Sequence, residues 1–269
     1  VGETKPSLSK PPASKPLAGK RILIGNDDGI HAPGLKALEE VAHALSDDVW
    51  TVAPEVEQSA TSHSLTTRRP LRLRRFGERR FAVDGTPTDC IVVGLNHVLK
   101  DRRPDLVLSG FNHGANLGED VGYSGTVAVA MEACLFGIPA IAMSQQREHE
   151  QPVDFAPAKA FAGDIVARLM AVDWPPDQLV NVNFPPLAPE AVKGVRVGRQ
   201  GRRDTQIGVV EGVDPGGRPY LWIGDFLRHH SEDASSDLGL VAQGYVSVTP
   251  LHLDLTHHAG LERLRGLLG

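Results

Sequence analysis

Residues 21–53 read RILIGNDDGIHAPGLKALEEVAHALSDDVWTVA, and their spacing decides the fold. Arg21–Gly25 is an apolar run of strand length. Leu35, Leu38, Val41, Ala42 and Leu45 recur at the three- and four-residue steps of one helix face. Val49–Ala53 is strand again, so the stretch is a strand–helix–strand unit of a parallel sheet. The alternation continues outward from it. Leu71–Phe76 and Arg79–Val83 read as an arginine-rich hairpin. Thr86-Pro87 starts a helix, with Thr as N-cap and Pro in the first turn. Leu106–Ser109, Ala140–Met143 and Leu179–Asn183 are strands, separated by helices over Ser124–Phe136 and Pro157–Met170. This pattern predicts an α/β fold, three-layered and doubly wound around a mostly parallel, Rossmann-like sheet.

After Pro185-Pro186 the character changes. Strand-like pieces at Val195–Val197, Tyr220–Ile223 and Tyr245–Val248 sit among glycine-rich turns, and a short helix from Thr256 ends the chain. At the other end Lys-Pro recurs three times within residues 1–19, with too little apolar surface to offset its ordering entropy. The expected organisation is a disordered tail (1–19), an α/β core (20–186) and a strand-rich C-terminal extension (187–269). A basic docking arm is the other reading of the tail.

Composition bounds the function. The 269 residues are 41% hydrophobic with 28 glycines besides, enough for a sizeable core. Lys and Arg number 28 against 33 Asp and Glu, for a net charge of −5. The first twenty residues hold four lysines and one glutamate, so the body carries 24 basic and 32 acidic residues and a charge of −8. A binder of nucleic-acid backbone shows a basic excess instead. Seven arginines between Arg68 and Arg80 are the one basic cluster. Their alternation on strands, without interleaved aromatics, reads as a solvated face or subunit contact rather than an RNA platform. Cys90 and Cys134 are far apart, which excludes a disulfide scaffold and a cysteine zinc site. No run reaches the ~18–20 apolar residues of a membrane span, and no apolar segment follows the N-terminal lysines. These features predict a cytoplasmic protein.

Ligands of open α/β sheets bind beyond the carboxyl ends of the strands. The first strand runs into Asn26-Asp27-Asp28-Gly29. Two adjacent carboxylates repel, and a hard divalent cation relieves that; a polar turn with one Asp capping the next helix is the plainer reading. The second strand is followed by Glu55–Thr67, a loop with six hydroxyl residues and His63. It can supply neutral oxygen ligands, or be an ordinary solvated loop. The Leu106–Ser109 strand leads into GFNHGANLGEDVGYSGT (110–126) and a helix. Backbone N–H groups at that helix start, with the Ser and Thr hydroxyls, make an anion cradle, or a capped helix with a glycine-rich connector. It is neither a Walker loop nor a dinucleotide fingerprint. Together the three loops suit metal-assisted phosphoryl hydrolysis.

ILIGNDDGIHAPG (22–34), VAPEVEQSATSHSLT (52–66), GTPTDC (85–90) and above all SGFNHGANLGEDVGYSGTVAVAME (109–132) resemble the signature blocks of the SurE family, the stationary-phase survival 5′/3′-nucleotidases. VNVNFPP (180–186) and GYVSVTPLHLDLT (244–256) match further blocks. The resemblance implies a SurE-type fold and a phosphatase acting on nucleoside monophosphates with one Mg²⁺ or Mn²⁺ per subunit. It implies metal ligands at Asp27, Asp28, Ser59 and Asn112, with the two aspartates central to catalysis. The phosphate-side positions are Asn116, Ser124, Gly125 and Thr126. It also implies homodimers or homotetramers, with arms exchanged from the region after Pro186. Gly25 departs from the serine many relatives carry. No proton donor for the leaving group is legible: His31, His63 and His113 all lie near these loops, and His229-His230 and His257-His258 read as surface pairs. A broad acid phosphatase, a short-chain polyphosphatase and a non-catalytic nucleotide-binding protein are the competing readings.

Overall fold

A computed structural model describes residues 14–148, 152–202, 207–226 and 233–269. The opening strand–helix–strand unit forms as β1 (Arg21–Gly25), α1 (Pro33–Leu45) and β2 (Asp48–Pro54). All five periodic positions of α1 are buried, and Pro33 occupies its first turn. The hairpin follows as β3 (Leu73–Arg75) and β4 (Arg80–Val83), then α2 (Pro87–Val93). Thr86 and Asp89 close a reciprocal capping box on α2. The core continues with β5 (Leu106–His113), α3 (Gly125–Leu135), β6 (Ala140–Gln145), α4 (Ala156–Leu169) and β7 (Gln178–Phe184).

These strands join one nine-stranded sheet in the order β3-β4-β2-β1-β5-β6-β7-β11-β8, where β8 is Val195–Val197 and β11 is Val246–His252. Only the β3–β4 and β7–β11 pairings are antiparallel. The expected doubly wound, mostly parallel sheet is therefore the fold of the chain. β1 lies inside it, between β2 and β5, and alternate residues feed opposite faces. Ile22 and Ile24 pack with α1 and α4, while Leu23 packs with α2 and α3. The chain leaves β1 toward β2 and later returns on its other side as β5, so the topological switch point is the β1–β5 junction.

The expected boundary at 186 divides the chain but not the sheet, because β8 and β11 complete its far edge. Between them β9 (Ile207–Val213) and β10 (Pro219–Phe226) form a separate antiparallel hairpin. Its Val209, Val210, Leu221, Trp222 and Ile223 are exposed, Trp222 at 66% and Ile223 at 78%. A short helix α5 (Asp237–Ala242) precedes β11, and α6 (His258–Leu268) ends the chain with no buried residue.

The tail assignment is corrected at its end. Leu17 is buried against α1, its N–H donating to Leu45 O at 3.0 Å, and Lys15 pairs with Asp47 at 2.5 Å. The disorder expected of the first thirteen positions lies outside the described residues. So does His229-His230, whereas His257 caps α6 and His258 faces Asp254 at 3.7 Å. Four of the seven arginines in the cluster pair with carboxylates of the same chain. Arg74 pairs with Glu55 (2.5 Å), Arg80 with Glu39 (2.9 Å), Arg79 with Asp48 (3.2 Å) and Arg69 with Asp84 (3.4 Å). Both cysteines are free and buried. No helix among the described residues is long and apolar enough to cross a membrane.

Candidate active site

The aspartate pair leaves β1 at the switch point. Asn26 closes the turn, its Nδ2 donating to Gly29 O at 3.0 Å. Gly29 has φ +98°, a value that suits glycine. A Cβ there would press on the backbone of Val56 at 3.2 Å, so the Glu55–Thr67 loop packs directly on this turn. Gln58 N–H donates to Asp27 O at 2.8 Å, which brings the neighbouring Ser59 to the same rim. The Ser59 hydroxyl itself is exposed and donates to Glu57 at 2.6 Å. Farther along, Ser62 anchors the loop to Gly122 O (2.8 Å) and Tyr123 O (3.1 Å).

Asn112 reaches the site through an irregularity of β5. The strand was expected to end at Ser109 but runs to His113, because a bulge between Ser109 and Asn112 shifts its register against β6. Gly110 makes the bulge possible: its φ is +123°, and a Cβ would fall on the Met143 carbonyl oxygen. Beyond the bulge His113 N–H donates to Asp28 Oδ2 at 3.1 Å. Asn112 stands beside that bond, its Nδ2 turned to Gly114 O at 2.9 Å, which leaves its Oδ1 for a cation.

The helix start meets the aspartates directly. A Cβ on Gly125 would lie 2.6 Å from the Asp27 Cβ, so α3 abuts the carboxylate with no room for a side chain. Ser124 caps α3 by accepting from Val127 N–H at 3.0 Å. Thr126 gives both its hydroxyl and its backbone N–H to the Asp27 carboxylate. Of the first-turn groups, Gly125 N–H is therefore the donor that neither bond uses. Asn116, in the β5–α3 loop, is buried and held by side chains of β6 and β7.

Asp27 is 5% exposed, and neither aspartate forms an ion pair with a described basic residue. Burial pushes the Asp27 carboxyl up to about 7 against the Thr126 hydrogen bond, and the Asp28 charge adds to the rise. Burial likewise lifts Asp28 to about 6, offset in part by the His113 N–H and aided by Glu57. Two neighbouring carboxylates without a basic counter-charge, with the neutral side chains of Ser59 and Asn112 on the adjoining loop and strand, fit a hard divalent cation. Asn26 Oδ1, buried without a hydrogen-bond partner among the described residues, marks how far the turn departs from ordinary polar satisfaction. No group of three or more His, Cys, Asp or Glu suited to a metal occurs among the described residues, so a cation here depends on two carboxylates and neutral donors.

The histidines separate in space. His31 meets Phe76 edge-on at 5.2 Å between ring centroids, and His113 is exposed. His63 Nε2 lies 2.8 Å from Glu132 Oε2, which ties the Ser59 loop to α3. Sequence reasoning passed over Glu132, Ser144, Asn181 and Asn183. The signal for the last two was present: V-N-V-N puts two asparagines on one face of a buried strand, where each needs a partner.

The family model for Survival protein SurE matches residues 22–207. A 5′-nucleotidase SurE of Paramagnetospirillum magneticum is 53% identical over 257 residues, covering 96% of this chain and 98% of its own. One from Caulobacter vibrioides is 51% identical over 253 residues, covering 93% and 96%. Among solved structures, the SurE protein from Aquifex aeolicus superposes with a TM-score of 0.79 at 42% identity, over 93% of this chain and all of that one.

Proposed function

The chain belongs to the SurE family, and from that premise we propose that it hydrolyses nucleoside 5′- and 3′-monophosphates to nucleoside and phosphate with a divalent metal ion. The observation that carries this reading is the contact of Gly125 with Asp27, which sets an anion-binding helix start against a cation-binding carboxylate. Asp27, Asp28, Ser59 and Asn112 would hold one Mg²⁺ or Mn²⁺ per subunit, Ser59 by turning its hydroxyl from Glu57. When bound, such an ion supplies Lewis-acid stabilisation of charge on the phosphoryl oxygens. The chain's own groups bind and orient the ester. Gly125 N–H and the positive end of α3 receive a phosphate oxygen, with Ser124 and Asn116 as flanking donors. Thr126 acts on substrate through Asp27, by fixing the carboxylate that its hydroxyl and N–H both engage.

The exposed apolar β9–β10 hairpin and the unburied α6, with Leu264, Leu267 and Leu268 exposed, are the arms through which a homodimer or homotetramer would form. The two free buried cysteines suit a reducing compartment such as the cytoplasm.

A phosphate-release screen tests the function. Nucleoside 5′- and 3′-monophosphates, sugar phosphates and tripolyphosphate are compared at equal concentration, with EDTA, Mg²⁺ or Mn²⁺. Release from the nucleotides alone, abolished by EDTA, is the expected result. Preference for tripolyphosphate, or nucleotide binding without release, would replace this reading with one of its competitors.

A further inference from the structure

Asn116 sits in the loop between β5 and α3, where no neighbouring strand supplies a ladder. Four hydrogen bonds converge on it from two other strands. Asn183 on β7 pairs with its backbone twice, accepting from Asn116 N–H at 2.8 Å and donating to Asn116 O at 3.1 Å. Asn181, on the same face two residues earlier, donates to the same carbonyl at 2.8 Å. Ser144 on β6 accepts from the side-chain Nδ2 at 2.8 Å. Ser144 and Asn183 are register partners, so the three side chains form one polar patch. The patch lies on the sheet face where Ala140, Ala142 and Leu179 are otherwise apolar.

Polar groups in such a layer are costly unless paired, and pairing the loop peptide needs only Asn183. Ser144 does something different, because the side-chain hydrogen bond of its hydroxyl among the described residues is to the Asn116 carboxamide and not to the loop backbone. It takes one Nδ2 hydrogen and thereby fixes the rotation of the carboxamide, leaving the second hydrogen with one set direction. An amide free to turn would also present Oδ1 to an anion, which repels it.

We propose that Ser144 is a positioning residue that aims the Asn116 carboxamide at the phosphoryl group, with Asn181 and Asn183 fixing the peptide beneath it. The proposal rests on the reading of Asn116 as a phosphate contact. Its test compares the wild-type chain with Asn116→Ala, Ser144→Ala, the double variant and Ser144→Thr. Each is assayed for kcat and KM on a nucleoside 5′-monophosphate at saturating Mn²⁺, for inhibition by inorganic phosphate, and for melting temperature.

Asn116→Ala should lower kcat/KM about 100-fold, as loss of one preorganised donor does. Ser144→Ala should lower it about tenfold, through misorientation. Inhibition by inorganic phosphate should weaken in both. The double variant should match Asn116→Ala alone, because Ser144 acts only through that side chain. Ser144→Thr, which keeps the hydroxyl, should restore activity. Two results would overturn the proposal while leaving the site reading intact. One is an unimpaired Ser144→Ala beside an impaired Asn116→Ala; the other is a double variant whose losses multiply. If Asn116→Ala itself keeps full activity, the reading of Asn116 fails and the proposal with it.

Discussion

Replacing Asp27 by Asn should abolish turnover and yet make the metal-free protein more stable at pH 8. Burial lifts the Asp27 carboxyl from 3.8 to about 7 in the folded chain. The folded state thus binds this proton more tightly than the unfolded one. The stability it confers is complete below about pH 3.8 and is lost as pH rises toward 7. At ~1.36 kcal/mol for each tenfold step, the ionised carboxylate costs about 4 kcal/mol above pH 7. Asparagine removes that cost and keeps an Oδ1 for the Thr126 hydroxyl and N–H. With roughly 2–4 °C per kcal/mol at this chain length, and part of the relief shared with Asp28, the variant should melt roughly 5–10 °C above wild type in EDTA at pH 8. The gap should close toward pH 4. Excess Mn²⁺ should raise the wild-type melting temperature and leave the variant unmoved. Thermal melts from pH 4 to 9, with EDTA and with Mn²⁺, read all of this. A variant that melts at or below wild type at pH 8, or that keeps the wild-type pH slope, refutes the reasoning.

Three further outcomes follow from single contacts. Gly125→Ala places a methyl 2.6 Å from the Asp27 Cβ; displacing that carboxylate should cut phosphate release at least about tenfold, while circular dichroism shows an intact fold. Leu17→Ala should cost about 1–3 kcal/mol in urea denaturation if the segment before β1 belongs to the core, and no change would return Leu17 to the tail. Trp222→Glu on the β9–β10 hairpin should lower the oligomeric mass seen by light scattering, with each chain still folded.

Much of the fold was legible because its periodicities are local. β1 and β8 match their expected bounds, and α1 shows in its apolar stripe alone. β9 was missed since Gly208 and Gly212 break the alternation that marks a strand. Its pairing depends on β10 across a turn. α5 was missed for a different reason: it spans six residues around Gly239 and is stabilised from afar, Asp237 accepting from Gly118 and Gly201 N–H. At the site, Asp27, Asp28, Ser124 and Gly125 stood out because adjacent carboxylates and a capped helix start are sequence patterns. That Thr126 serves Asp27 was not legible, since those residues meet only when β1 and α3 pack. The partners of Asn116 lie on strands that the loop reaches only in three dimensions, and the β5 bulge that carries Asn112 depends on contact with β6.

If Asp27 and Asp28 hold the divalent cation on which phosphate ester hydrolysis depends, metal binding and turnover must rise and fall together. The most direct measurement titrates Mn²⁺ into metal-free wild-type and Asp28→Asn protein. It follows bound ion by paramagnetic resonance and phosphate release from a nucleoside 5′-monophosphate in the same samples. The expected result is one bound ion per wild-type chain, release that rises in step with occupancy, and the loss of both in Asp28→Asn. Release from the wild-type chain that is undiminished in EDTA, or an Asp28→Asn protein that binds Mn²⁺ and turns over like wild type, would contradict it.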